Sequence, residues 1–177
     1  IGNVRENNTV LEIGPGYGSL TKKIAEIKPR KLLAIEKDKK ISLSLAETFK
    51  DYKNVQIINE DIMNVIQNRE IGKNIIVFGN LPYNISTQIL ASLLLLEDWP
   101  PWYKKLILMF QKEVADRITA KVNTKDYGRL SVLCNWRMKV INHFDISRNC
   151  FFPKPKINSS VLSFEPKKNR FNIKNPK

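Results

Sequence analysis

The sequence predicts an α/β fold, a mostly parallel seven-stranded sheet with helices on both faces, and three observations carry that prediction. Short β-type runs alternate with segments of helical period. A glycine-rich turn at 14–18 follows directly on the first apolar run. Each of the first four runs ends in that turn or in a polar residue, which is where ligands gather in such sheets.

Val10 to Ile13 is the first strand, and Ser19 to Ile27 places Leu20, Ile24 and Ile27 at helical spacing. Lys31 to Glu36 and Val55 to Asn59 are strands two and three, separated by a helix from Lys40 to Phe49 and followed by a short segment near Ile62 to Ile66. Asn74 to Gly79 is strand four, leading into a helix from Ser86 to Leu96; Leu106 to Phe110 is strand five, leading into a helix from Glu113 to Thr119. Beyond Tyr127 come a helix to Asn135, a strand from Arg137 to Phe144, a Pro-rich loop and a last strand from Ser160 to Phe164. Residues 1–166 read as one domain, and 167–177 as a basic tail expected to fray.

With 177 residues and 42% hydrophobic content the chain can bury one full core. Its longest apolar candidate, Ile89 to Leu96, falls well short of the ~18 residues a membrane helix needs, and no basic-then-apolar leader precedes strand one. The expectation is a monomeric cytoplasmic protein with no membrane partner. Cys134 and Cys150, with only His143 near them, are too few for a disulfide framework or a metal site and read as free thiols. The net charge is +13, of which residues 99–177 carry +12, with 17 basic against 5 acidic residues. A Lys-rich codon bias would have raised Lys everywhere, yet residues 1–98 hold 13 basic against 12 acidic. One-sided charge of this kind is the footprint of a nucleic-acid binder.

Gly14, Gly16 and Gly18 let the chain turn sharply and a ligand approach the backbone. Their spacing departs from the dinucleotide fingerprint, and Pro15 removes an N–H that a pyrophosphate would use. Glu36, about 20 residues after the turn, is placed to accept both hydroxyls of a ribose. Asp61 can accept from an adenine amino group while the Ile62 N–H faces a ring nitrogen. Singly, each acid reads as a solvated strand end. Together with Asn80 at the next strand end they describe a nucleoside pocket with no phosphate requirement.

At 80–83 the chain reads Asn-Leu-Pro-Tyr. Asn80 offers a side-chain carbonyl, and Pro82 keeps Leu81 extended so that its carbonyl points outward. Two carbonyl acceptors side by side can hold an exocyclic amine by its hydrogens, which aims the nitrogen lone pair of a weakly nucleophilic adenine N6 at an electrophile. Tyr83 offers a ring for stacking on the base. The plainer alternative is a strand-to-helix turn, with Asn84 or Ser86 capping the next helix.

VLEIGPGYGSLT (10–21), AIEKD (34–38), NEDIM (59–63), GNLPYNIST (79–87), MFQKEVADRI (109–118), YGRLSVL (127–133) and FFPKPKINSSV (151–161) resemble, in order and over nearly the whole chain, the S-adenosylmethionine-dependent rRNA adenine N6-dimethyltransferases of the small-subunit KsgA type. That resemblance implies a Rossmann-like class I methyltransferase fold with S-adenosyl-L-methionine held by Gly14, Gly16, Glu36, Asp61, Ile62 and Asn80. It implies a catalytic tip of Asn80, Leu81, Pro82 and Tyr83, with Phe151 closing over the base, although Phe151 and Phe152 also read as loop anchors. Arg129, Lys154 and Lys156 become phosphate contacts. The implied reaction is N6,N6-dimethylation of two adjacent adenines in a hairpin loop near the 3′ end of small-subunit (16S) rRNA, within a pre-ribosomal particle, the bases being splayed out of the loop. Large-subunit resistance methylases are similar but typically carry Ile at the Leu81 position. A DNA adenine methylase, a non-catalytic nucleic-acid module of the transcription-factor kind and, more remotely, a dehydrogenase are the rivals. Family members also have an upstream segment and a following helical domain, so a chain running from Ile1 to Lys177 is expected to be a fragment with impaired cofactor binding and RNA docking.

Overall fold

β1 (Thr9–Ile13) is buried along its whole length, as a run of Val, Leu and Ile in the middle of a parallel sheet should be. The computed structural model describes residues 1–68, 71–151 and 154–168. In it the seven strands lie in the order β3-β2-β1-β4-β5-β7-β6. β2 (Lys31–Glu36), β3 (Val55–Asn59), β4 (Ile75–Asn80) and β5 (Tyr103–Gln111) run parallel with β1, while β7 (Ser159–Pro166) is antiparallel to both β5 and β6 (Met138–Ile146). The order reverses between β1 and β4. That is the switch point at which a crevice opens outside the strand ends.

Period-two alternation splits the core into two faces. Leu11 and Ile13 of β1, Leu33 and Ile35 of β2, and Ile75 and Val77 of β4 enter a large cluster with α3 (Ile62–Asn68), α4 (Ser86–Leu94), α5 (Lys112–Thr119) and α6 (Arg129–Arg137). Val10 and Leu32 point the other way, against Ile24 and Ala25 of α1 (Ser19–Glu26), with Phe78 packed at the margin. α2 (Lys39–Thr48) starts on a side-chain cap, Asp38 accepting from the N–H groups of Lys40 and Ile41.

Several boundaries differ from the sequence reading. β5 begins three residues earlier, at Tyr103, because Lys105 pairs with Glu165 of β7 at 3.0 Å and so sits comfortably within the strand. α4 stops at Leu94, and neither Asn84 nor Ser86 caps it: Ile85 holds the cap position, while Ser86 Oγ donates to the Tyr83 carbonyl at 3.1 Å. A 3₁₀ turn at Arg148–Cys150 interrupts the expected loop. The tail expected to fray from Lys167 is tied at that residue. Its N–H donates to the Arg137 carbonyl at 2.9 Å and its own carbonyl accepts from Trp99 Nε1 at 2.8 Å. Residues 169–177 lie outside the described residues, as does Phe152.

Candidate active site

Pairing brings the strand tips level: Ile13 stands beside Ile35 and Gly79, and Glu36 beside Asn59. The glycine turn leaves β1 with Gly14 and Gly16 at φ of +65° and +55°, a region that side-chain-bearing residues seldom occupy. A Cβ on Gly14 would stand 3.8 Å from the Asn80 carbonyl oxygen, and one on Gly16 would meet nothing within 4 Å. The fourth strand's tip therefore lies against the turn, beneath open space. Gly18 is different in kind: a side chain there would strike Leu45 and Phe49, so that glycine serves the packing of α2.

Glu36 is held by its neighbours before any ligand arrives. Its Oε2 accepts from the Gly16 N–H at 3.4 Å and its Oε1 from the Asp38 N–H at 2.9 Å. A carboxylate has about four acceptor sites, so capacity for two hydroxyl donors remains. Asn59 Nδ2 donates to the carbonyls of Glu36 and Lys37, fixing the tips of β2 and β3 together. Asp61 Oδ1 accepts from the Met63 N–H at 2.9 Å and Oδ2 pairs with Lys37 at 2.8 Å. The Lys37 hydrogen bond first, then the backbone one, holds the Asp61 carboxyl below the usual range. Ile62 buries its side chain in the core as the first residue of α3, so only its N–H, which has no intrahelical acceptor, is on offer.

The tip at residues 80–83 is arranged differently. Leu81 is 1% exposed, its side chain plugging the core against Gly79, so any role it has toward a ligand belongs to its main chain. The Asn80 side chain is exposed and has no hydrogen-bond partner among the described residues. Pro82 is exposed, and its carbonyl accepts from the Ile85 N–H at 3.1 Å to close the turn. Tyr83 is half-buried, with its phenol oxygen 2.8 Å from Ser159 Oγ at the start of β7.

A family model described as ribosomal RNA adenine dimethylase matches residues 2–176. The chain belongs to that family. It is 48% identical over 171 residues to the ribosomal RNA small subunit methyltransferase A of Pelagibacter ubique (strain HTCC1062), covering 97% of this chain and 64% of that protein. The chain spans 56–64% of the length of that relative and of seven others with the same name. Among solved structures, a dimethyladenosine transferase from Plasmodium falciparum superposes with a TM-score of 0.81 at 28% identity, covering 94% of this chain and 58% of that one. The 23S rRNA methyltransferase ErmE also reaches 0.81, at 24% identity and covering 96% of this chain and 65% of that one, which speaks for the fold alone. The α/β Rossmann-like methyltransferase fold expected from the sequence is the one observed.

In this member of the family the structure sets Gly14 against Asn80 and Gly16 against Glu36, with Asp61 and Ile62 joined to them through β2, β3 and Lys37. Phe151 follows the 3₁₀ turn and is half-buried. Lys154 and Lys156 are exposed on the same connection, whereas Arg129 is exposed at the start of α6, a separate element. A cleft of about 1010 Å³ lined by Trp99, Pro100, Trp102 and Lys104 belongs to the starts of β4 and β5, at the opposite end of the sheet from these tips.

Sequence reasoning gave no role to Glu12. It is 2% exposed, and its Oε2 has no partner among the described residues. Burial pushes its carboxyl up to about 7, opposed only in part by the nearby Thr21 hydroxyl. The available signal was an acid inside an otherwise apolar central strand, two residues before the glycine turn.

Proposed function

We propose that this domain transfers methyl groups to the N6 of adenines in small-subunit rRNA, twice per base, with S-adenosyl-L-methionine as the donor. The observation that carries the reading is the juxtaposition at the switch point: the Asn80 backbone lies against the Gly14 turn, while the Asn80 side chain is exposed and without a partner among the described residues. The donor set fits a nucleoside cofactor. Open space over Gly16 would admit its backbone, Glu36 retains acceptor capacity for ribose hydroxyls, and Asp61 with the Ile62 N–H would read an adenine edge. When bound, S-adenosyl-L-methionine would supply a methyl on a sulfonium, the N–C bond forming from the amine's lone pair as the S–C pair stays on sulfur and an N–H proton goes to water.

This chain's part is to hold and orient. The Asn80 side-chain oxygen and the Leu81 carbonyl would accept the two N6 hydrogens, with Tyr83 under the ring and Phe151 over it. No side chain needs to act as a general base, because catalysis of this kind is positioning plus electrostatics. Arg129, Lys154 and Lys156 would contact RNA phosphates. Identity of 48% to a protein named small subunit methyltransferase A, against 24% to the 23S rRNA methyltransferase ErmE, favours the small-subunit substrate over the large-subunit one. The intact Asn80 to Tyr83 tip favours an enzyme over a non-catalytic nucleic-acid module.

We read residues 1–166 as the catalytic unit and 167–177 as the lead into a further domain. The setting would be a pre-ribosomal particle in the cytoplasm, the protein acting as a monomer. Among the described residues no helix is long and apolar enough to cross a membrane. The test is incubation of the full-length protein with labelled S-adenosyl-L-methionine and under-methylated small subunits, followed by mapping of the label. N6-dimethyladenine in a small-subunit hairpin loop is the expected product. Label confined to large-subunit RNA, or none at all, would sink the reading.

A further inference from the structure

Tyr83 is the aromatic member of the reacting tip, and a stacking ring works best when its orientation is set before the base arrives. Two bonds set it. Its carbonyl accepts from Ser86 Oγ at 3.1 Å, and its phenol meets Ser159 Oγ at 2.8 Å across 76 residues of chain. Ser159 is fully buried, paired between Gln111 of β5 and Ile146 of β6, so the backbone that carries its hydroxyl is held on both sides. Among the described residues the Tyr83 phenol is the only side-chain partner of that hydroxyl; the next serine along, Ser160, turns to Asp145 instead. Ser159 also ends the connection that carries Phe151, so one hydrogen bond joins the Asn80 to Tyr83 tip to the loop on the other side of the proposed base slot.

On the reading of function above, we propose that Ser159 is a positioning residue that orients the Tyr83 ring, and that the second methyl transfer to each base depends on it more than the first. Adenine N6 presents two hydrogens to the paired acceptors. Each transfer replaces one N–H by N–CH₃, the proton leaving to water, so the monomethylated base presents only one. Its grip on the carbonyls is halved and stacking must hold a larger share of its orientation.

The test compares Ser159→Ala, Tyr83→Phe and the double variant in the full-length protein, each deleting the same bond from one side or both. Single-turnover reactions on under-methylated small subunits would be resolved into mono- and dimethyladenine. Each single variant is expected to raise the mono-to-dimethyl ratio by about three- to tenfold, the net worth of one hydrogen bond, and the double variant no further than the single ones. Quenching of 2-aminopurine placed at the target position of a hairpin RNA should fall in parallel, a readout independent of methyl transfer. If Ser159→Ala does not fold, Tyr83→Phe alone carries the comparison. Wild-type product ratio and quenching in Tyr83→Phe, or effects that multiply in the double variant, would overturn the role of Ser159. Failure of the unmutated protein to methylate would instead overturn the parent reading.

Discussion

The two acids on one side of the crevice and the amide on the other stand in opposite hydrogen-bonding states. On the side proposed to hold the cofactor the acids are already engaged: Glu36 accepts two backbone N–H groups, Asp61 accepts one and pairs with Lys37, and Asn59 ties two strand tips together. On the side proposed to react, the Asn80 side chain has no hydrogen-bond partner among the described residues, although its main chain pairs with Met109 and lies against the same glycine turn. A group that must bind the same nucleoside every time benefits from being locked beforehand. An amide proposed to grip an amine as that nitrogen changes shape has to keep its acceptor free. On that reading the crevice combines a rigid holder with an open clamp.

The sharpest way to break that contrast is Asn80→Ala, which removes the clamp and leaves the holder. Methyl transfer should fall by on the order of 10²–10³, comparable to losing one preorganised transition-state hydrogen bond. RNA affinity, measured by filter binding, should stay within about twofold, because the charged surface is untouched. Transfer at the wild-type rate would remove Asn80 from the clamp.

Glu12 tests the holder from beneath. Its folded pKa of about 7 lies above the ordinary 4.5, so between those values the folded state holds a proton that the unfolded chain has released. Stability should therefore fall as pH rises from about 4.5 through 7 and level off above, by about 3 kcal/mol at most from this group. Glu12→Gln should flatten that slope and be the more stable form at pH 8. Urea unfolding at pH 5 and pH 8 for both proteins decides it. Parallel profiles would mean that the carboxyl finds solvent or a partner.

How much of this was legible beforehand follows the range of the interaction involved. The glycine turn, Glu36, Asp61 and Asn80 announce themselves locally, because each stands where an apolar run stops, and strand ends come together in a parallel sheet whatever fills its core. Ser159 gave no such sign: its meaning lies in a tyrosine 76 residues away, and before folding Ser159-Ser160 is two small polar residues in front of a strand. Lys104 and Lys105 likewise concealed the start of β5, since only the β7 partner Glu165 explains a lysine there. The 3₁₀ turn at Arg148–Cys150 rests on a Ser147 side chain accepting from the Asn149 N–H, a local bond that the nearby prolines masked.

Glu36→Gln sharpens the contrast on the cofactor side. The amide keeps one acceptor oxygen but loses the charge, and its NH₂ must face either the Gly16 or the Asp38 N–H, both of which are donors. Cofactor Kd, followed by calorimetry with S-adenosylhomocysteine, should rise about tenfold, as expected for weakening a charge-assisted hydrogen bond. RNA affinity should not change. An unaltered cofactor Kd would mean that the ribose is held elsewhere.

Lys154→Ala should have the smallest effect and acts on neither side of the crevice. The residue is exposed on the connection between β6 and β7, in the half of the chain that carries +12 of the net charge. If it meets a phosphate, its loss should weaken RNA binding by a few-fold at low salt and reduce the slope of log K against log salt by roughly 1. Cofactor Kd and the mono-to-dimethyl ratio should be those of the wild type, because a phosphate contact positions the RNA without touching the base. A slope left unchanged would make Lys154 a solvated charge, and a shift in the product ratio would place the loop closer to the base than a phosphate contact requires. Either result would redraw the border between the docking surface and the clamp.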